Sequence, residues 1–465
     1  MFQRAIPLAE ARIRPDKPCG GTTPRDVAAL WAIVAGLSLA VLIGCGSGEP
    51  AEDEPTELER LGELPGLQAA RDPVLIDEYA RVKEQEGTPA QLERTGVKDG
   101  ENIAASFVDL FPDDLLGSLL SQTESVFPPG DFEFDSHRLR QAAGLRHRHD
   151  RQRQFVRKAL ADPECDLGIR YTAGYAADTS VIDVVRVACR LEAFLAAEKM
   201  AEGDLSGAID ALEAMFQLTH CLAATPHLDA RMHGAYLRGD TFRVIAALLQ
   251  HELLRREHVE QLAKLVRHQL DTWPEDATAW IGERALGLHA YEMIRAGQGQ
   301  DLLTIEELEA LQRRQLGKSV SEYLKENVDA DQAFYMTNMR RVIELCDKPF
   351  HERLSELEKI NQAASTSDPA SGPPHPAARL LMKDLLPGQI NQARDRANTE
   401  AWALGLAAAI GAPRPPYRVN PLTGRPYEVR GEEGMVVVTN SRSGSGGGTL
   451  GHEPMRIWVP ILRGQ

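Results

Sequence analysis

Residues 181–254 constrain the fold most, because two long apolar runs at helical spacing are separated by a break only a few residues long. In 181–200 the polar residues Asp183, Arg186 and Arg190 share one narrow stripe, and Val184, Val185, Ala188, Leu191 and Leu195 fill the rest of the circumference. That pattern predicts a helix buried on most sides. Glu202, Gly203 and Asp204 then form the break: Gly203 suits the left-handed residue that ends one helix, and Asp204 suits the cap that opens the next. Leu205, Ala208, Ile209, Leu212, Met215, Phe216 and Leu222 give the second helix its apolar face, and Pro226 follows its end. The two runs predict an antiparallel helical hairpin.

The segment from Gly203 to Met215 resembles the second half of a tetratricopeptide-type helical pair, whose arrays recur about every 34 residues. Gly239-Asp240 comes 36 residues after Gly203-Asp204 and is expected to open another apolar helix carrying Phe242, Ile245, Leu248 and Leu249. The period then fades, so a weakly tetratricopeptide-like stack of hairpins is expected and not a peptide-binding solenoid. The triplet Arg238-Gly239-Asp240 is read as a helix boundary before an adhesion motif. Further helices are expected over 258–270, 277–294, 305–316, with Thr304 and Glu307 as a capping box, and 330–360, interrupted at Pro349. Upstream, 77–120 is weakly helical, 127–131 breaks the pattern, and 136–160 is the next segment.

Residues 27–44 are an uncharged apolar run of 18, long enough to cross a bilayer as a helix. Five basic residues (Arg4, Arg12, Arg14, Lys17, Arg25) precede it, and Glu49, Glu52, Asp53, Glu54, Glu57 and Glu59 follow before any Lys or Arg. This asymmetry keeps the N-terminus inside and sends the rest across. The run closes on Leu42, Ile43, Gly44 and Cys45, which resembles a bacterial lipobox. Residues 1–45 are therefore read first as a lipoprotein signal with Cys45 as the acylated residue, ahead of a cleaved secretory signal and an uncleaved single-helix anchor. Residues 46–73, rich in Glu, Pro and Gly, are expected to be an acidic flexible tether.

Net charge is −16, which disfavours nucleic acid as a partner. Against this background 145–158 is basic: Arg146, Arg148, Arg151, Arg153 and Arg157 are read first as a solvated face, and second as a surface for acidic lipid headgroups or for the acidic tether. His147 and His149 are two apart, about 200° on a helix, and so are poor ligands for one metal. Cys165, Cys189, Cys221 and Cys346 either form two disulfides outside the cytoplasm or, for Cys189 and Cys221, are small buried hydrophobes.

Residues 361–377 (NQAASTSDPASGPPHPA) are expected to be a linker between a helical domain over 74–360 and a C-terminal module over 378–465. In that module 378–410 is helical, with a break expected at Pro387-Gly388. Asn420, Pro421, Leu422, Thr423, Gly424, Arg425 and Pro426 form a turn cluster, and short β-prone runs follow at 427–430, 435–439 and 455–461. The fold class expected is mainly α: stacked antiparallel hairpins with a small C-terminal helix plus a three-stranded antiparallel β module.

NPLTGRPYEV followed by GMVVVTN resembles the tail of an uncharacterised planctomycete envelope family, Asp-Pro-Phe-Ser/Thr-Gly-Lys/Arg-Pro-Leu-x-Tyr and then a Gly-led strand. Such tails are in turn similar to the C-terminal sheet of type II secretion pseudopilins. Glu101-Asn102, Gly203-Asp204 with Ala208, Pro226-His227-Leu228 and Gly282-Glu283-Arg284 agree with the same family. The resemblance implies an envelope protein, and it implies no activity. Where pseudopilin tails hold calcium, this chain has 441–453, without Asp, so no bound calcium is expected. More than 300 residues separate the apolar run from the tail, so the chain is not itself a pilin subunit.

No catalytic residue, metal ligand or cofactor emerges from spacing: there is no G-x-S-x-G, H-E-x-x-H or Cys-x-x-Cys, and Gly317-Lys318-Ser319 lacks the earlier glycine of a phosphate loop. His220, His227 and His233 near Asp229 are read as a capped, exposed helix end before a metal site. Trp273, Trp280, Trp402 and Tyr291 are read as core. The expected role is a membrane-anchored, non-enzymatic scaffold or interaction protein on the periplasmic side. Accessory work in a secretion or pilus-like system and an envelope hydrolase without a known motif are the alternatives.

Overall fold

The computed structural model describes residues 73–96, 107, 110–128, 135–160, 167–303, 308–309, 319–326, 328–365, 375–440 and 456–461. The apolar run with Cys45, the tether before residue 73, Glu101-Asn102, all but two residues of the helix expected at 305–316 and the glycine-rich loop at 441–453 lie outside the described residues. Among the described residues no helix is long and apolar enough to cross a membrane.

The protein is mainly helical, with one small antiparallel sheet near the C-terminus. The helices are α1 (Pro73–Glu84), α2 (Pro89–Gly96), α3 (Asp113–Val126), α4 (Ser136–Arg148), α5 (Asp150–Ala159), α6 (Ser180–Ala201), α7 (Leu205–Ala224), α8 (Leu228–Leu248), α9 (Arg256–Asp271), α10 (Asp276–Ala296), α11 (Val320–Lys325), α12 (Val328–Leu345), α13 (Phe350–Ser365), α14 (Pro376–Leu381) and α15 (Leu385–Ala409). Short 3₁₀ turns occupy Tyr171–Ala176 and Gly299–Leu302. Strands β1 (Tyr427–Glu432), β2 (Met435–Asn440) and β3 (Arg456–Pro460) pair in that order.

Helices α6, α7 and α8 fold back on one another and form the centre of the larger core. Gly203, at φ 76°, ends α6: its N–H reaches Met200 O at 2.9 Å, and the next N–H, of Asp204, reaches Lys199 O at 2.9 Å. This pair of hydrogen bonds satisfies carbonyls that the helix end would otherwise leave bare. Asp204 then accepts from Gly207 N at 2.9 Å and opens α7. The expected second break is absent, because Gly239-Asp240 lies inside α8. There Arg238 pairs with Asp395 and Asp240 with Arg243, and both side chains are buried. One tertiary ion pair, Arg238–Asp395, and one pair within the helix, Asp240–Arg243, hold the helix continuous where local sequence suggested an end, and they remove Arg238 and Asp240 from any adhesive loop.

Helix α15 lies along α8, α9 and α13 and carries the sheet on its last turns. Val436, Val438, Ile457 and Val459 are buried over Gly405, where an added Cβ would stand 3.1 Å from Val459 Cγ2. Trp402 stacks on Phe242 of α8 with centroids 5.3 Å apart. The segment after 377 therefore shares its core with the hairpins, and α13 extends through Ser365 into the expected linker. The break expected at Pro387-Gly388 falls earlier, at 382–384. Pro387 is the third residue of α15, where its missing N–H costs no helical bond.

The turn cluster fastens the sheet to the body. Asn420 is fully buried, and its Oδ1 accepts from Leu422 N at 2.8 Å and Thr423 N at 3.2 Å. Gly424 donates to Asn420 O at 2.9 Å with φ 69°. His351 at the start of α13 donates its backbone N–H to Pro421 O at 3.1 Å, and its ring would lie 2.6 Å from a Cβ on residue 424. Val419 and Pro426 bridge across the turn.

Candidate functional site

Titratable groups with shifted protonation gather where the start of α8 meets α10. Gly282 makes that meeting possible: a Cβ there would stand 1.4 Å from Pro226 O, so α10 packs with its backbone directly on the turn before α8. Two segments marked by the family resemblance, Pro226-His227-Leu228 and Gly282-Glu283-Arg284, thus touch in space. Gly287 serves a second close approach, because Tyr335 Oη would lie 2.1 Å from its Cβ; that hydroxyl donates to Glu283 O at 3.1 Å.

Glu283 is half-buried, and its Oε1 accepts from Tyr175 Oη at 2.9 Å. Burial, aided by the charges of Asp384 and Asp229, pushes its carboxyl up to about 7, against the Tyr175 hydrogen bond and Lys383. Tyr175 is 40% exposed and sits on the Tyr171–Ala176 turn. Gly174, at φ 58°, is required there because the His289 ring occupies the space of a side chain. His289 is buried and held neutral, and both its ring nitrogens lack a hydrogen-bond partner among the described residues.

Asp229 stands on the first turn of α8, with 38% of its side chain accessible and its Oδ1 3.4 Å from His233 Nε2. Surrounding protein nevertheless raises it to about 6, with Asp183 adding and Arg186 opposing. Water reaches this carboxyl, but the walls around it set its environment. Burial lowers His233 to about 3 and His227 to about 4. His233 is therefore neutral at physiological pH, and its contact with Asp229 is not an ion pair. The three histidines do not form the expected exposed helix end. His227 caps α8 from a buried position, its Nδ1 accepting from Ala230 N at 3.5 Å. His220 faces Arg238, Arg231 and His268 instead.

Most other buried charges join helices to each other. Arg238 reaches Asp395 across α8 and α15. Asp276 takes Arg231 on Oδ1 at 3.2 Å and Arg353 on Oδ2 at 2.6 Å, tying α8, α10 and α13. Asp331 accepts from Tyr291 Oη at 2.5 Å and from the amides of Ala377 and Ala378, anchoring α14. Trp273 is the exception among the aromatics expected in the core: it is only partly buried, with the guanidinium carbons of Arg238, Arg231 and Arg396 at 4.7, 5.4 and 5.5 Å from its ring centroid. Trp280, Trp402 and Tyr291 are buried.

Cys189 and Cys346 are free thiols, so the alternative of two disulfides fails, and Cys189 is the small buried residue of the other alternative. Burial pushes both thiols up, Cys346 to about 11, which leaves neither activated as a nucleophile. Cys221 is disulfide-bonded, to a partner outside the described residues, and is not the free buried hydrophobe considered above. Among the described residues no group of three or more His, Cys, Asp or Glu is arranged to hold a metal.

Sequence reasoning placed Asp229 near the site but missed Tyr175 and Glu283, which lie 108 residues apart. Only the Gly282-Glu283-Arg284 resemblance pointed there. Comparison with protein families, with characterised proteins and with solved structures gives no match for this chain.

Proposed function

We propose that this chain is a membrane-anchored envelope protein whose helical body works as a scaffold or interaction module. The observation that carries this reading is the use made of the buried charges: Arg238–Asp395, Arg231–Asp276–Arg353 and Tyr291–Asp331 fasten helices together. The apolar run ending at Cys45, with the basic residues before it and the acidic ones after it, supports an anchor with the body outside the cytoplasm. The disulfide at Cys221 supports the same oxidising compartment. The net charge of −16 speaks against nucleic acid. Affinity purification from detergent-solubilised envelope tests the reading, which expects reproducible protein partners. Recovery of secretion components would promote accessory work in a secretion or pilus-like system, and a solitary chain would count against both.

A second reading, an envelope hydrolase, is favoured by one observation: Glu283, bonded to the Tyr175 hydroxyl, is held near 7, and Asp229, whose charge acts on it, near 6. Carboxyls poised near neutrality exchange protons with a substrate efficiently. Hydrolase activity that Glu283→Gln abolishes without unfolding the chain would replace the first reading with this one.

A further inference from the structure

The basic segment at 145–158 is split by the structure into two populations. Arg146 is held by Glu198 at 2.6 Å and by Asp150; Arg153 is held by Glu192 at 2.6 Å and by Asp150. Arg157 leans on Glu192 and donates to Asp210 O at 3.2 Å. These three are structural. Arg148, Arg151 and Lys158 are exposed, and none of them forms an ion pair with a described residue; Arg140 is exposed as well and donates to Ser136 O. On α4, Arg140 and His147 are seven apart, and on α5, Arg151 and Lys158 are seven apart, so each pair lies on one side of its helix. Phe155, 38% exposed, sits between Arg151 and Lys158. Beside the stripe a depression of about 510 Å³ is lined by Arg153, Gln154, Arg157, Lys158 and Gln217. Among the described residues the carboxylates near it are Asp150, Glu192 and Glu198, already tied to arginines, and Asp210 and Glu213, exposed on α7.

We propose that this face of α4 and α5 docks on an anionic membrane surface, with lipid phosphates on Arg148, Arg151 and Lys158 and the Phe155 ring at the interface. Cations without an ion pair among the described residues, flanking an exposed aromatic ring on a chain of net charge −16, match the chemistry of an acidic headgroup layer. The proposal rests on the anchored reading only for what brings body and bilayer together. The stretch between Cys45 and Pro73 spans up to roughly 90–100 Å when extended, so the body can lie back against the surface.

The test reconstitutes the full chain with vesicles of phosphatidylcholine alone, or with about 30% phosphatidylglycerol to give a negative surface. Chemical modification of Lys158, Arg148 and Arg151 is then followed by mass spectrometry, with exposed Lys264 on α9 as the reference. The expected result is modification slowed on the order of fivefold in anionic vesicles only, restored by about 0.5 M salt, with Lys264 unchanged. Equal rates in the two vesicles would overturn the proposal. Salt-sensitive protection already present in neutral vesicles would overturn it too, by naming the chain's own acidic tether as the occupant. Failure to float with neutral vesicles would refute the anchor alone. Flotation with anionic vesicles would then still support this face if Arg148→Glu/Arg151→Glu/Lys158→Glu abolished it, and refute it if the variant floated equally.

Discussion

Replacing Arg238 by Met tests whether the buried charges are fasteners. Arg238 is 1% exposed, and the side chain of its partner Asp395 is 3% exposed, so the variant strands a carboxylate inside the protein. Burial already pushes Asp395 up from its ordinary 3.8, and Arg238 is the strongest group opposing that, followed by Arg231, while Asp276 adds to the rise. Removing one partner of such a pair costs about 3–5 kcal/mol. At about 2.1 cal/mol/K per residue over the roughly 330 described residues, the melting point falls by roughly 4–7 °C. The sign with pH follows from the raised carboxyl. Below 3.8 Asp395 is protonated in both folded and unfolded states and the charge penalty is absent; it then grows as pH rises and levels off above the folded-state value. The double variant Arg238→Met/Asp395→Leu removes the stranded charge and recovers to within about 1 kcal/mol of the parent. Circular dichroism melts at pH 4, 6 and 8 on the three proteins read all of this. A loss under about 1 kcal/mol at pH 8, or a double variant no better than the single one, would refute the reasoning.

Glu283→Gln is expected to stabilise at pH 8 by about 1–2 kcal/mol, discounted for half-burial, and to change nothing at pH 4. The folded carboxyl holds its proton to about 7 against an ordinary 4.5, so the parent loses stability across that window and the variant loses less; parallel pH profiles in urea unfolding would contradict it. Gly282→Ala gains about 1 kcal/mol of helix propensity but drives its Cβ into Pro226 O, and overpacking of about 1–3 kcal/mol or more wins, so a stabilised variant would show that the helices separate freely. Asn420→Ala leaves the amides of Leu422 and Thr423 without their acceptor and lowers stability by about 1–3 kcal/mol, read as a lower urea midpoint with an unchanged slope.

What the sequence disclosed depended on how local the cause was. Gly203 and Asp204 could be read because a helix end and a helix start are decided within a few residues. The Asn420–Pro426 turn and the strands after it were legible for the same reason. Gly239-Asp240 misled because the same dipeptide lies inside a helix once Arg238 and Asp240 find partners, one of them 157 residues away. Pro387-Gly388 misled because proline marks a helix start as readily as a break, and only the packing of α15 decides which. The C-terminal helix could not be assigned to the main core from composition, since its partners on α8 and α9 are far away in sequence. Tyr175 and Glu283 carried no spacing signal. Their meeting depends on Gly174, Gly282 and Gly287 letting other groups approach, and a glycine does not announce what will fill its space.

The most direct test of the central claim is chemical cross-linking in intact cells, followed by mass spectrometry of peptides joined to this chain. A scaffold or interaction module gives reproducible cross-links to a second envelope protein through surface residues of the helical body. Cross-links confined to the chain itself, together with a hydrolase activity lost in Glu283→Gln, would contradict the account.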